Sequence, residues 1–355
     1  MANKKMMKGN MAIAEAALRG GMDIYAGYPI TPSTEVMEYL SGRMIDLGRV
    51  FIQAESELAA INMVFGAGMM GKRAMTASSG PGMALKQEGM SYMARNNTPA
   101  VILNVTRWGT GLGSLNTGQT DYLRDTRGGG EGGYRNIVFA PNSIQEAVDI
   151  TYDSFEMAEK YRNPVVIMTC ANLGQMEEPC SFPEFKTDRP TFSWAMDGTG
   201  KGIEERSKGD GSVEIAGQHL LDKVNSMIEN EQRWETFETE DAEYVFVAFG
   251  LPSRACKDAV KALRAKGEKV GLIRPITIWP FPVKAFETLG SQVKGFISVE
   301  GTNVGQMIED VALATKKVKS NLPCYLLNHG GFLPTVKQIT GFYEEVKSGN
   351  VKEEF

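Results

Sequence analysis

Histidine is nearly absent from this chain. Its 355 residues include two, His219 and His329, and that poverty counts against a histidine-based nucleophilic triad or a His-rich metal site. His329 lies in the run NHGG, where a loop or core role is the simpler reading than contact with a ligand. The four cysteines, Cys170, Cys180, Cys256 and Cys324, are widely scattered and form no CxxC pair. An iron–sulfur cluster or a structural zinc held by this chain alone is therefore not expected, and no metal ligand is assigned. No stretch reaches the roughly 18 apolar residues that a membrane-crossing helix requires. The first ten residues, MANKKMMKGN, are basic but run into an Ala-rich amphipathic segment with no cleavage-site pattern. No signal peptide is read there, and a cytoplasmic location is expected. A net charge of -5 supplies no basic excess for nucleic acid.

What remains is an ordinary globular composition, 42% hydrophobic and 23% charged, in a chain long enough for two or three domains. The pattern is α/β. Asn10 to Arg19 reads as a helix stopped by Gly20-Gly21, Asp23 to Ala26 as a short strand, and GYPITPS as a stiff turn. Pro29 and Pro32 remove two N–H donors there, and Ser33 or Thr34 is placed to cap a helix running to Leu40. Val50 to Gln53 is the next strand, and Glu57 opens a helix whose apolar face is Leu58, Ile61, Val64 and Phe65. Arg73 to Ala77 is a strand, SSGPG opens a helix from about Gly82 to Arg95, and PAVILNV, from Pro99 to Val105, has the continuous apolar character of a buried parallel strand. Thr106 to Tyr134 carries nine glycines and few aliphatics and reads as one long loop; such loops in compact domains are usually functional. Ile137 to Ala140, a helix from Ser143 to Tyr161 and the strand Pro164 to Thr169 close the first unit.

The pattern then weakens. Phe182 to Gly211 reads as an extended linker, and Gly217 to Glu238 as a polar helix packing through Leu220, Leu221, Val224 and Ile228. A second α/β unit follows: strands at Tyr244 to Phe249, Val270 to Ile273, Phe296 to Val299 and Cys324 to Leu327, helices at Ser253 to Lys266 and Gly305 to Val318, and a Pro-rich crossover, IRPITIWPFP. The expected division is residues 1–180, a linker with a helix over 181–241, and 242–355.

Four features stand out as chemistry. Glu57 sits where a helix begins; a carboxylate there either pairs with the helix dipole or does chemical work. SSGPG sets small residues between a strand and a helix, so that a ligand can approach the backbone and the helix N–H groups. It is not a GxGxxG or GxxxxGK[ST] motif, and a plain tight turn reads equally well. Arg107 follows the apolar strand at its C-terminal end, where open parallel sheets bind ligands; the alternative is a salt bridge to Asp121 or Asp125. Trp108, Leu112 and Leu115 in the same loop would suit an aliphatic or aromatic ligand group.

YPITPS, QAESELAAINMVFGA, TASSGPG, the strand leading to Arg107 and GQTDY…GGGEGGYR, in this order, resemble the alpha subunit of the 2-oxoacid:ferredoxin oxidoreductases. The likeness covers almost the whole chain. It is greatest to the branched-chain (3-methyl-2-oxobutanoate, or 2-oxoisovalerate) type, and next to the 2-oxoglutarate type. It implies a fold that binds the aminopyrimidine of thiamine diphosphate on a parallel sheet, then a smaller transketolase C-terminal-like α/β domain. It also implies partners: a beta subunit holding the diphosphate, Mg2+ and a [4Fe–4S] cluster, a gamma subunit, and often a ferredoxin-like delta subunit. The chain lacks a GDG followed by paired asparagines for the metal diphosphate, which fits one half of a shared site. The implied reaction takes a 2-oxoacid, CoA and oxidised ferredoxin to acyl-CoA, CO2 and reduced ferredoxin.

By the same resemblance Glu57 is the acid that hydrogen-bonds pyrimidine N1′, a role that needs an apolar, water-poor setting. Glu55 does not match that position and reads as a strand-end or surface acid. Thr31 matches the residue contacting the substrate carboxylate or carbonyl, or else is a helix-start hydroxyl. Arg107 matches the guanidinium that pairs with the 2-oxoacid carboxylate. Tyr28 and Ser79 line the cofactor on this reading, or simply pack their turns. Two other functions stay open: a non-oxidative thiamine-dependent half-enzyme, and a non-catalytic scaffold subunit, against which the presence of Thr31, Glu57 and Arg107 speaks.

Overall fold

Apolar runs rich in β-branched residues alternate with amphipathic segments, and they form strands and helices in that alternation. A computed structural model describes residues 4–108, 115–203, 213–318 and 321–355. In chain order the first part contains β1 (Lys5–Lys8), α1 (Gly9–Arg19), β2 (Ile24–Gly27), α2 (Thr34–Asp46), β3 (Val50–Gln53), α3 (Glu57–Met69), β4 (Ala74–Ser78), α4 (Gly80–Arg95) and β5 (Ala100–Thr106). It continues with α5 (Tyr122–Arg127), β6 (Ile137–Phe139), α6 (Ile144–Tyr161), β7 (Pro164–Cys170), α7 (Ala171–Gln175) and β8 (Glu177–Cys180). The second part contains α8 (Val213–Asn230), β9 (Trp234–Phe237), β10 (Tyr244–Val247), α9 (Pro252–Arg264), β11 (Val270–Pro275), β12 (Thr277–Trp279), α10 (Val283–Glu287), β13 (Gly295–Glu300), α11 (Met307–Lys317), β14 (Cys324–Asn328) and α12 (Val336–Lys347).

Among the described residues, seven strands form one sheet in the order β12-β6-β7-β5-β4-β2-β3, all parallel except β12. Its central strands β5 and β7 are buried along their whole length, as AVILNVT and PVVIMTC require of strands covered on both faces. A five-stranded sheet, β14-β13-β10-β11-β9, is parallel except for β9. The fold is thus α/β with parallel-rich sheets. Helix starts follow local chemistry. Ser56 accepts the Ala59 N–H ahead of α3, Ser143 accepts the Glu146 N–H ahead of α6, and Thr335 with Gln338 forms a capping box on α12.

Several expectations need correction. The loop from Thr106 to Tyr134 is not structureless, because Tyr122–Arg127 is a helix. The polar helix does not reach Glu238: α8 ends at Asn230, and Trp234–Phe237 is a strand paired with β11. Its packing face is Val224 and the fully buried Met227, while Leu221 and Ile228 stay exposed. The Pro-rich crossover contains β12, which crosses over to pair with β6 in the first sheet. Neither Ser33 nor Thr34 caps α2 through a side chain; the Ser33 hydroxyl turns back to the Ile30 carbonyl. Leu58, expected in the core, is 45% exposed, whereas Ile61 and Val64 are buried. The described part of the extended linker is no free spacer. Lys186 donates its N–H to the Arg19 carbonyl, Met196 donates to that of Met69, and the Arg19 guanidinium lies 4.7 Å from the Phe185 ring centre. All four cysteines are free and buried.

Candidate active site

The first sheet gathers the candidate residues by topology. In the parallel set β5-β4-β2-β3, Tyr28 and Thr31 follow β2, Glu57 follows β3, Ser79 follows β4 and Arg107 follows β5. All five therefore lie beyond the C-terminal ends of adjacent strands, the edge at which such sheets bind ligands.

Glu57 is the first residue of α3 and only 6% exposed, while Glu55 is exposed. The Glu57 carboxylate faces Gly82 in the first turn of α4: a methyl group on Gly82 would lie 2.5 Å from Glu57 Oε1 and would also collide with the Ser78 hydroxyl. Glycine is thus what lets α4 approach the acid. Ser78 and Ser79 are fully buried, and neither hydroxyl has a hydrogen-bond partner among the described residues. Unpaired buried hydroxyls cost free energy unless something satisfies them. Ser78 beside the buried carboxylate and Ser79 at the N-terminus of α4 thus leave hydrogen-bonding groups at this edge for a polar ligand.

Arg107 closes the other side. It is 5% exposed, and its guanidinium donates to the Thr31 carbonyl at 2.8 Å. A methyl group on Gly80, which has φ +44°, would sit 2.9 Å from Arg107 Nε. The arginine therefore ties the YPITPS turn to the SSGPG turn. The salt bridge to Asp121 or Asp125 does not form. Those carboxylates are held by Asn104 and by Arg124, which pairs with Asp121 and also donates to the Gly80 carbonyl. Burial pushes the Asp125 carboxyl up, against the pull of Arg124. The Arg107 guanidinium has no carboxylate within salt-bridge distance among the described residues, which leaves donors for an anionic ligand. Thr31 and Tyr28 are exposed at the rim.

In the Gly-rich segment, the Trp108 indole N–H donates to Asn303 at 2.6 Å, so that ring is committed to the second unit. Leu115 is 52% exposed, and Leu112 lies outside the described residues. His329 sits half-buried in the loop after β14. A pocket of about 370 Å³ lined by Arg127, Trp279, Phe281, Lys284 and Asp310 includes none of the candidate residues, and there Arg127 is already paired with Asp310.

Two residues were not singled out from sequence. Gln119 clamps the two units: it donates from its side chain to the Phe249 carbonyl and exchanges a pair of hydrogen bonds with the Gly301 backbone. Nothing local to GQTDY signals this. Lys86 is fully buried on α4, and burial pulls its ammonium down to about 8 while the Glu57 charge opposes that shift. Its signal was present, since Lys86 falls on the buried stripe of Met83, Gln87 and Met90.

Residues 15–210 match the family described as pyruvate flavodoxin/ferredoxin oxidoreductase, thiamine diphosphate-binding. Residues 242–339 match pyruvate:ferredoxin oxidoreductase core domain II. The chain belongs to the 2-oxoacid:ferredoxin oxidoreductase family. Among its relatives, the ketoisovalerate oxidoreductase subunit VorB of Methanothermobacter marburgensis is 49% identical over 316 residues, covering 88% of this chain and 90% of that one. The 2-oxoglutarate synthase subunit KorA of Methanocaldococcus jannaschii is 35% identical, covering 89% and 93%. A solved 2-oxoglutarate:ferredoxin oxidoreductase from Magnetococcus marinus, with 2-oxoglutarate, coenzyme A and succinyl-CoA bound, superposes with a TM-score of 0.85 at 26% identity; it covers 97% of this chain, which spans 65% of that longer one. A split-gene transketolase in an inactive beta4 tetramer shares the fold at a TM-score of 0.60 and 12% identity. This chain is therefore an alpha-type oxidoreductase subunit with a thiamine diphosphate-binding domain, most like VorB in sequence among the relatives named here. No described helix is long and apolar enough to cross a membrane.

Proposed function

We propose that this subunit holds the aminopyrimidine end of thiamine diphosphate in the CoA-dependent oxidative decarboxylation of a branched-chain 2-oxoacid, 2-oxoisovalerate, to acyl-CoA and CO2 with reduction of ferredoxin. The observation that carries the reading is the buried Glu57 carboxylate beside the unpaired Ser78 and Ser79 hydroxyls, on the strand ends that also present Arg107. The cofactor, when bound, supplies a carbon acid at its thiazolium C2 that reacts with 2-oxoacids. Glu57 holds a proton at pyrimidine N1′, and its burial strengthens that hydrogen bond. Ser79 and Tyr28 line the ring. Arg107 orients the substrate carboxylate with its free donors, and Thr31, on the turn that Arg107 pins, contacts the same end of the substrate. The Gly82 approach keeps the acid fixed and dry.

The diphosphate, Mg2+ and [4Fe–4S] centres belong to partners on this reading. A beta subunit completes the site over the exposed rim at Tyr28 and Thr31, a gamma subunit joins it, and a ferredoxin-like delta subunit carries electrons outward in the cytoplasm. Residues 1–180 form the pyrimidine-binding unit, 181–241 the strap and helix, and 242–355 the transketolase C-terminal-like unit. The identity to VorB, well above that to KorA, favours the branched-chain substrate. Assaying the native complex against a panel of 2-oxoacids, with ferredoxin reduction as readout, tests this. The expected result is the highest kcat/KM for 2-oxoisovalerate. A preference for 2-oxoglutarate overturns the substrate assignment, and decarboxylation without reduction overturns the oxidative one.

A further inference from the structure

A lysine with no exposed surface is unusual, because burying an ammonium is costly unless it is paired or does something in return. Lys86 is such a residue, and the roles assigned above do not use it. It rises from the second turn of α4 beneath the start of α3. Its Nζ donates to Thr76 Oγ1 at 3.0 Å and to the Glu57 carbonyl at 3.5 Å. Thr76 lies on β4, two residues before Ser78, and is itself fully buried. The ammonium makes no ion pair within salt-bridge distance among the described residues, so it is not spent on a structural bridge. Glu57 is the one described ionisable group whose charge reaches it.

We propose that Lys86 is a positioning residue for Glu57. It ties the first turn of α3 to β4 through the Glu57 carbonyl and Thr76, and it sets a fixed positive charge behind the carboxylate. The proposal rests on the reading of Glu57 as the proton-holding group. The arrangement answers a physical need: a buried carboxylate requires both a fixed backbone and a nearby compensating charge, and a direct salt bridge would occupy the oxygens that must face the ligand. A lysine one layer back supplies the charge and leaves those oxygens free.

The same geometry makes the site proton-sensitive. Burial pulls Lys86 down to about 8 from 10.5. Between those values the unfolded chain binds more protons than the folded one, so the cost of burying Lys86 is fully present below about pH 8 and is relieved as pH rises toward 10.5. Over the same rise the carboxylate loses its compensating charge. Stability and function therefore move in opposite directions, which a merely structural lysine would not produce.

Lys86→Met in the full chain, read by thermal unfolding from pH 6.5 to 10, is expected to raise Tm at pH 7, with the gap narrowing as pH rises. In the assembled complex, deuterium exchange at cofactor C2 is expected to slow by about tenfold or more at pH 7, a typical loss when a catalytic group is slightly misplaced. The wild type is expected to lose exchange as Lys86 deprotonates above about pH 8, and that alkaline fall should be absent in the variant. Wild-type exchange with an unchanged alkaline limb overturns the proposal, as does a fall in Tm together with a fall in exchange. If Glu57→Gln exchanges at the wild-type rate in the same preparation, the reading of Glu57 has failed instead. Should Lys86→Met not fold, Thr76→Val decides: slowed exchange supports the positioning role, and unchanged exchange overturns it.

Discussion

Glu57→Gln separates the chemical reading of the buried acid from the helix-dipole reading. The substitution keeps the side chain's shape, its place against Gly82 and a hydrogen-bonding end, so α3 and its surroundings should persist. It removes the group that can share a proton. The carboxylate is 6% exposed and lies beside hydroxyls without partners, so neither bulk water nor a second described acid stands ready to replace it; Glu55 faces solvent. Loss of a positioned proton-transfer group costs on the order of 100-fold or more, equivalent to about 2.7 kcal/mol in the barrier. The assay is deuterium incorporation at C2 of thiamine diphosphate in the assembled complex, followed by NMR before any 2-oxoacid is added, which isolates activation from decarboxylation and electron transfer. Cofactor affinity should change little on the proposed reading, in which the diphosphate and its metal are held by a partner subunit. The structure adds a second readout. Glu57 is the charge that opposes the desolvation of Lys86, so Glu57→Gln should lower Tm near neutral pH, whereas Glu55→Gln should alter neither Tm nor exchange. Wild-type exchange in the Glu57 variant, or slow exchange in the Glu55 variant, refutes the assignment.

Three further outcomes follow from the geometry. Arg107→Lys replaces a fork with a point charge and weakens the tie to Thr31, so KM for the 2-oxoacid should rise about tenfold with cofactor affinity unchanged; the reverse pattern in steady-state kinetics would assign Arg107 to the cofactor. Gly82→Ala places a methyl group 2.5 Å from Glu57 Oε1. It should cost about 1 kcal/mol of stability and slow C2 exchange by about tenfold or more, and wild-type exchange would show that the Glu57 carboxylate position is not critical. The fully buried Glu300 carboxylate accepts the N–H groups of Gln306, Met307 and Ile308 at the start of α11, with the hydroxyls of Ser298 and Thr302. Glu300→Gln should therefore lower stability by about 2 to 3 kcal/mol in denaturant unfolding, and an unchanged midpoint would count against a charge-based cap.

The sequence by itself determined most of the alternating strands and helices of the first unit, though not β1, α5, α7 or β8, and it placed Glu57 at the start of a helix. Helical spacing, the apolar runs AVILNVT and PVVIMTC, and the Gly and Pro punctuation are local signals, so β5, β7, α3 and α6 were legible. The C-terminal end of the apolar strand before Arg107 is also legible, whereas the roles of Tyr28, Thr31, Glu57 and Ser79 rest on the resemblance of their motifs to the family. Tertiary structure decided what depends on distant partners. Trp234–Phe237 has helical neighbours in sequence but is a strand because β11 offers it a ladder, and Thr277–Trp279 is a strand because β6 does. Leu58 fits an apolar helix stripe yet faces out, since the α3 contacts fall on Ile61 and Val64. The partners of Arg107, Arg124 and Gln119 could not be read either: each bond joins residues on different turns of the fold, and pairing among several nearby charges is set by burial and geometry rather than by spacing. Lys86 lies between these cases. Its place on a buried stripe is written in the sequence, but only the crossing of α4 beneath α3 brings its ammonium to the Glu57 backbone.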